Sequence, residues 1–145
     1  MEKEFVPYKL ALQLKELGFD EPCIYYYKRN KQNIFELYQN DLGEWYRNSD
    51  VGEALLLWGE KYDTKQCSSP LYSQVFKWFR DKKLSDSCVC RYQGRDDGGI
   101  YYYYVITKDF GVEETRHFKE GFFTYEEAEL ECLEKLIEIV ETKSE

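Results

Sequence analysis

Apolar residues recur every three or four positions in three segments, which is the spacing of one face of an α-helix. The first segment covers residues 7–18, and the second begins at Ser69-Pro70, where Ser69 is the predicted N-cap. The third begins at Thr124, which forms a predicted capping box with Glu127. The expected inward positions are Leu10, Ala11, Leu14 and Leu17, then Leu71, Val75, Phe76 and Phe79, and finally Ala128, Cys132, Leu133, Leu136, Ile137 and Val140.

Shorter runs between these helices are rich in tyrosine, isoleucine and cysteine, and they predict β-strands. Residues 23–28 and 34–39 are expected to pair through a polar turn. Residues 87–92 and 100–107 are expected to form a second hairpin that turns at 97–99, because Asp-Gly-Gly suits positive φ. The charged stretch EETRHFKEG, residues 113–121, is interpreted as a solvated connection.

This order predicts one α+β domain of 145 residues, with a helix-hairpin-helix-hairpin-helix arrangement and a mainly antiparallel sheet that has its helices on one face. Residues 55–58 fit either a short helix capped by Asp50 and Glu53 or a buried strand. Residues 7–27 and 70–92 resemble each other, because each segment runs from a proline through a predicted helix to a predicted strand. This resemblance fits either a duplicated unit or two ordinary helix-strand turns.

Four consecutive tyrosines, Tyr101, Tyr102, Tyr103 and Tyr104, lie in the last predicted strand. Successive side chains of a strand point to opposite faces, so Tyr101 and Tyr103 are expected on one face and Tyr102 and Tyr104 on the other. One face should lie under the helices, and the other is either covered by the irregular segments or open. The tyrosines therefore serve either cross-strand packing or the binding of a protein or a flat ligand such as a nucleotide.

The net charge is −8, and residues 125–145 contain eight glutamates and only two lysines. This balance disfavours binding to the phosphates of nucleic acid. Several glutamates recur at helical spacing and predict a stripe that docks onto a basic partner; a merely solvated helix face is the alternative. The stripe consists of Glu127, Glu131, Glu134, Glu138, Glu141 and Glu145.

The five cysteines do not have the number or spacing of a disulfide framework, and the first residues lack an apolar signal core. Reduced thiols and a cytoplasmic location without membrane insertion are therefore expected. Cys88 and Cys90 should share one strand face, but no second cysteine pair completes a zinc site. His117 is not expected beside a thiol, and no phosphate-binding loop or nucleophile elbow occurs. The sequence thus predicts no catalytic residues, no metal and no cofactor.

Three segments together carry a resemblance to a known group of proteins. They are FVPYKLALQLKELGFDEPC (residues 5–23), SPLYSQVFKWFRDK (residues 69–82) and FTYEEAELECLEKLIEIV (residues 123–140). In this order they resemble a family of small uncharacterised proteins of bacteriophages and mobile elements of Bacteroides-group gut bacteria. The resemblance implies a phage accessory protein that acts in the bacterial host cytoplasm, and it supplies no binding residues.

These observations predict a non-catalytic accessory protein that binds a host or phage protein, with inhibition of a host factor or defence enzyme as the expected role. The alternative is a protein that binds a small, nucleotide-type ligand on an aromatic sheet surface. The candidate partner-binding residues are Glu127, Glu131, Glu134, Glu138, Tyr101, Tyr102, Tyr103 and Tyr104.

Overall fold

The computed structural model describes residues 4–39, 47–49, 64–83, 85–109 and 114–143. The chain divides into two compact units, Met1–Gln74 and Val75–Glu145, so the single domain expected from chain length stays a prediction. The helices with described bounds are α1 (Tyr8–Glu16), α2 (Tyr72–Lys83) and α3 (Tyr125–Lys143). The strands are β1 (Tyr25–Arg29), β2 (Phe35–Gln39), β3 (Cys67–Ser69), β4 (Ser85–Gln93), β5 (Ile100–Asp109) and β6 (Glu114–Phe122).

The first helix, α1, has the predicted apolar stripe and the predicted end. Leu10, Ala11 and Leu14 are buried. Gly18 has a φ of 97°, a left-handed conformation that glycine adopts without strain. The backbone N–H of Phe19 donates to the carbonyl of Leu14 at 2.9 Å, and the N–H of Gly18 donates to that of Lys15 at 3.1 Å. These two hydrogen bonds form a Schellman motif, so the predicted helix end is confirmed.

The strands of the first unit form an antiparallel sheet in the order β2-β1-β3. The predicted β1–β2 hairpin is confirmed, and its turn places Asn33 at a φ of 65°. Ser69 is the last residue of β3 and not an N-cap, because α2 begins only at Tyr72. The helix start is instead supported by Gln74, whose side-chain oxygen accepts a hydrogen bond from the N–H of Leu71 at 3.0 Å. Of the predicted inward positions, Val75 and Phe79, which belong to the second unit, are buried, whereas Leu71 and Phe76 are half-buried.

The second unit contains an antiparallel sheet in the order β4-β5-β6. The predicted hairpin between the cysteine strand and the tyrosine strand is confirmed, with Cys90 opposite Tyr103 and Cys88 opposite Val105. The connection covers residues 94–99 and is therefore longer than the predicted turn at 97–99. Gly98 has a φ of 69° in it, a conformation that glycine adopts without strain. The interpretation of the EETRHFKEG stretch as a solvated connection is wrong, because residues 114–122 form the edge strand β6.

Helix α3 covers one face of this second sheet. The N–H of Glu127 donates to Thr124 Oγ1 at 3.2 Å, so this half of the predicted capping box is present. All six apolar positions predicted for the stripe of α3 are buried. Tyr104 and Ile106 of β5 are buried too, with exposed fractions of 5% and 0%. Since α3 contacts β4, β5 and β6, these two side chains mark the helix-covered face of the sheet.

The α+β class and the antiparallel pairing are confirmed. The strict helix-hairpin order is not confirmed, because a third strand joins each hairpin. In the first sheet the central strand is β1, which is the first strand of its hairpin. In the second sheet the central strand is β5, which is the second strand of its hairpin. The two topologies therefore do not repeat each other. The choice between helix and strand for residues 55–58 lies outside the described residues.

No helix in the described part of the chain has both the length and the apolar character needed to cross a bilayer.

The packing of α3 on the second sheet can be tested by removing one of its buried side chains. Leu136 is fully buried, so Leu136→Ala is expected to lower the free energy of unfolding by about 2–5 kcal/mol. Glu134 lies two residues away and is exposed, so Glu134→Ala should change the free energy of unfolding by less than about 0.5 kcal/mol. Urea unfolding followed by circular dichroism measures both values, and equal stability of the two variants would contradict the described packing.

Candidate interaction surface

The alternation of side chains along β5 separates the four consecutive tyrosines into two pairs. Tyr104 lies on the face that α3 covers, and it is 5% exposed. Tyr102 shares that face, and its ring meets the ring of Tyr125 edge-on, with centroids 6.1 Å apart. Tyr101 and Tyr103 point to the opposite face and are half-buried. The predicted alternation is therefore confirmed, and half of the tyrosine run packs beneath the helix.

Five aromatic rings form a connected network on the face opposite α3, which we call the aromatic face. Tyr92 contacts both Tyr101 and Tyr103, with ring centroids 5.8 Å apart in each pair. Phe123 extends the network from Tyr101 at 5.9 Å, and Phe118 extends it from Tyr103 at 5.4 Å. The two phenylalanines are 74% and 57% exposed, so large apolar surfaces border the tyrosines. Contiguous exposed apolar surface of this kind marks interaction sites.

The ring of Tyr101 is held in place by the β4–β5 turn. Its hydroxyl donates a hydrogen bond to the carboxylate of Asp97, which also accepts one from the N–H of Gly99 at 2.9 Å. A Cβ atom at Gly99 would lie only 3.1 Å from the tyrosine ring, so glycine allows the ring to approach the backbone. The Tyr101 hydroxyl and the Gly99 N–H stabilise the carboxylate and lower the pKa of Asp97. The same hydrogen bond raises the pKa of Tyr101.

A second feature is an open cleft of about 380 Å³ beside the edge strand β6. It lies between the sheet and α3, and its lining residues are Tyr104, His117, Phe118, Lys119, Glu131, Glu134, Lys135 and Glu138. Burial, followed by nearby ionisable groups that include Glu131, raises the pKa of Tyr104. The cleft therefore brings together the buried end of the tyrosine run and three of the predicted glutamates.

The glutamates of the predicted stripe differ in how far their charge is neutralised. Lys119 of β6 lies 2.7 Å from the carboxylate of Glu131. Lys135 lies 3.1 Å from the carboxylate of Glu138. Within the described part of the chain, no lysine or arginine forms an ion pair with Glu127 or Glu134. Two of the four predicted carboxylates thus remain available to an external cation, and the other two are in exposed ion pairs that stabilise the protein little.

The structure distributes the predicted site residues over two surfaces. Tyr101 and Tyr103 lie on the aromatic face, whereas Glu131, Glu134 and Glu138 line the cleft with Tyr104. Glu127 lies in the first turn of α3, and Tyr102 packs against Tyr125. Sequence reasoning missed Tyr92, Phe118, Phe123 and Lys119. Of these four, only Phe118 and Phe123 had a signal in the sequence, because they are apolar residues within and just after the charged stretch 113–121.

Among the described residues, no group of three or more His, Cys, Asp or Glu side chains is placed to hold a metal ion. His117 lies on β6, opposite Ile106 in the strand pairing, whereas Cys88 and Cys90 lie on β4 at the other edge of the sheet. No family model matches the chain, and neither a curated protein nor a solved structure matches it. These comparisons therefore add nothing to what the arrangement of these residues supports.

The contact between Tyr101 and Asp97 predicts a specific change in carboxyl titration. Tyr101→Phe removes the hydroxyl donor, so the pKa of Asp97 should rise towards its ordinary value of 3.8. Tyr102→Phe is the matched control, because Tyr102 lies on the other face and should leave this pKa unchanged. Carboxyl chemical shifts measured by NMR during a pH titration give both results, and an unchanged pKa in Tyr101→Phe would contradict the contact.

The same shift sets the direction of the pH effect on stability. Because the pKa of Asp97 is lower in the folded protein than in the unfolded chain, the ionised carboxylate stabilises the folded protein at pH values above the unfolded pKa. That contribution should disappear as the pH falls through the lower, folded pKa. Urea midpoints of the unmodified protein and of Asp97→Asn should therefore differ at neutral pH and converge in acid.

Proposed function

We propose that this is a non-catalytic protein that binds a basic protein partner through the aromatic face. The observation that carries the proposal is the connected network of five rings, which ends in two strongly exposed phenylalanines. Exposed aromatic side chains are costly to leave in water, and covering them with a partner recovers roughly 25 cal/mol per Å² of apolar area. Tyrosine and phenylalanine are also enriched in protein interfaces.

The aromatic face has the features of an anchor region. Tyr101 is fixed by the Asp97 carboxylate, and Tyr103 is packed between Tyr92 and Phe118. Side chains that are already ordered lose little conformational entropy on binding, so more of the contact energy becomes affinity. Phe118 and Phe123 protrude from this ordered base, and we infer that they enter pockets of the partner as its main anchors.

Charge supports a basic partner. The whole chain has a net charge of −8, and Glu120 lies opposite Tyr103 on the aromatic face. The acidic stripe of α3 offers Glu127 and Glu134 as carboxylates without an ion-pair partner in the described part of the chain. Phe118 also lines the cleft beside this stripe, so a partner that covers Phe118 reaches the cleft carboxylates as well. Opposite charges on the partner would accelerate association.

The second candidate function is the binding of a nucleotide-type ligand by stacking on the exposed rings, since bases stack on aromatic side chains. The five-ring network favours it, but Asp97 and Glu120 border the rings with negative charge and oppose a phosphate group. We therefore rank protein binding first.

The resemblance to phage and mobile-element proteins supports a cellular setting for this proposal. An accessory protein of that kind acts in the cytoplasm of its bacterial host. An acidic surface beside an aromatic anchor region suits a protein that occupies the binding site of a host factor or a defence enzyme.

Capture of partners from a lysate of Bacteroides-group cells tests the proposal. The double variant Phe118→Ser and Phe123→Ser should fold, because both side chains are exposed, and it should bind the captured protein at least about tenfold more weakly. Ile34→Ser is the matched control, since Ile34 is a 61% exposed apolar residue of the first unit. Undiminished capture by the double variant would contradict the proposal, and a co-purified ultraviolet-absorbing small molecule would favour the nucleotide alternative.

The role of the acidic stripe can be tested separately with the captured protein. Glu127→Lys combined with Glu134→Lys should weaken binding and reduce its dependence on salt, because both carboxylates are exposed and have no ion-pair partner in the described part of the chain. Glu4→Lys combined with Glu16→Lys changes the net charge equally at exposed positions of the first unit. Binding measured at low and high salt distinguishes the two, and equal loss in both double variants would show that only net charge matters.

A further inference from the structure

Two of the five free cysteines lie side by side on the aromatic face. Cys88 and Cys90 are next-but-one neighbours on β4, so their side chains share this face, opposite Val105 and Tyr103. The Cys90 thiol donates a hydrogen bond to the sulfur of Cys88, and the two Sγ atoms are 3.8 Å apart. Cys88 is exposed and Cys90 is half-buried, so reagents in solvent reach the pair.

The other three cysteines differ from this pair in their exposure to solvent. Cys23, Cys67 and Cys132 have exposed fractions of 2%, 0% and 0%. Burial raises the pKa of Cys23 to about 11 and the pKa of Cys67 and of Cys132 to about 12. Since the thiolate is the nucleophile, these three residues are poor reactants at neutral pH, and they serve as internal controls.

We propose that Cys88 and Cys90 form a redox-active dithiol that closes to a reversible disulfide by exchange with a low-molecular-weight disulfide. Burial, followed by the hydrogen bond with Cys90, raises the pKa of Cys88, so the exchange depends on the accessibility and closeness of the two sulfurs and not on a lowered thiol pKa. The hydroxyl of Tyr103 is a further neighbour, and its hydrogen bond with Cys90 raises the pKa of Tyr103.

The exchange has two steps, and its electrons balance. A thiolate of the pair attacks one sulfur of the small disulfide, forms a mixed disulfide and expels one small thiolate. The second cysteine then loses its proton, attacks the protein sulfur of the mixed disulfide and expels the second small thiolate. Two protein thiols are thereby oxidised to one disulfide, and the small disulfide is reduced to two thiols that take up the two protons.

The strand geometry predicts that this bond is easily reversed. Next-but-one Cα atoms of a strand are about 6.6–6.8 Å apart, because each residue advances the chain by about 3.3–3.4 Å. Disulfides usually span about 4.4–6.8 Å between Cα atoms, so closure requires β4 to shorten or bend slightly. Strained and exposed disulfides are the readily reduced ones. This thiol chemistry does not depend on the proposed partner.

The test treats the native, fully reduced protein with 4,4′-dithiodipyridine, a small aromatic disulfide. The expected result is rapid release of two thiopyridones, loss of two hydrogen atoms from the monomer mass and no retained adduct. Peptide mapping should place the bond between Cys88 and Cys90, and dithiothreitol should reverse it. Cys88→Ser and Cys90→Ser should each release one thiopyridone rapidly and retain one adduct, because the resolving thiol is absent.

Other outcomes would overturn the proposal. Adducts retained on both cysteines of the unmodified protein would show that the pair does not close, and a disulfide-linked dimer would show that closure occurs between molecules. Equally rapid reaction of Cys23, Cys67 or Cys132 would show that the pair has no special reactivity. The result on the unmodified protein is decisive alone, so it does not require that either serine variant folds.

Discussion

The central strand β5 has large aromatic or aliphatic side chains on both faces. The packing of the rest of the second unit depends on how the side chains on each face are covered. Tyr104 and Ile106 require cover, which the apolar stripe of α3 supplies. Tyr101 and Tyr103 lie on the opposite face, where each half-buried ring is shielded by its aromatic neighbours. Tyrosine suits this position because its ring can pack while its hydroxyl stays with water or a polar partner.

The two proposed activities share one face because of this same constraint. The pairing of β4 with β5 places Cys90 opposite Tyr103, so the alternation that creates the aromatic face also places the two thiols on it. The buried residues in the described part of α3 are all apolar, and three of its glutamates line the cleft. At the cleft, Lys119 of β6 forms an ion pair with Glu131 of α3 and so connects the sheet to the helix.

The parts of this arrangement that depend on local signals could be predicted from the sequence. The apolar stripe and the capping threonine of α3, the glycine end of α1 and the existence of the β4–β5 hairpin were evident, because each depends on neighbouring residues. Strand β6 was missed, since an exposed edge strand carries charged side chains on both faces and lacks apolar alternation. The start of α2 was placed too early, because a serine-proline pair also suits the end of a strand. The aromatic face and the Lys119–Glu131 pair depend on strand register, which the sequence does not reveal.

Strand β5 presents one aromatic face and one face that α3 covers. The most direct measurement is the relaxation that a soluble paramagnetic agent causes at individual aromatic ring protons in NMR spectra. Ring protons of the exposed Phe118 and Phe123 should relax strongly, those of the half-buried Tyr103 to an intermediate extent, and those of Tyr104 should be almost unaffected. Equal relaxation of Tyr103 and Tyr104 would contradict the claim, because the two tyrosines would then share one environment.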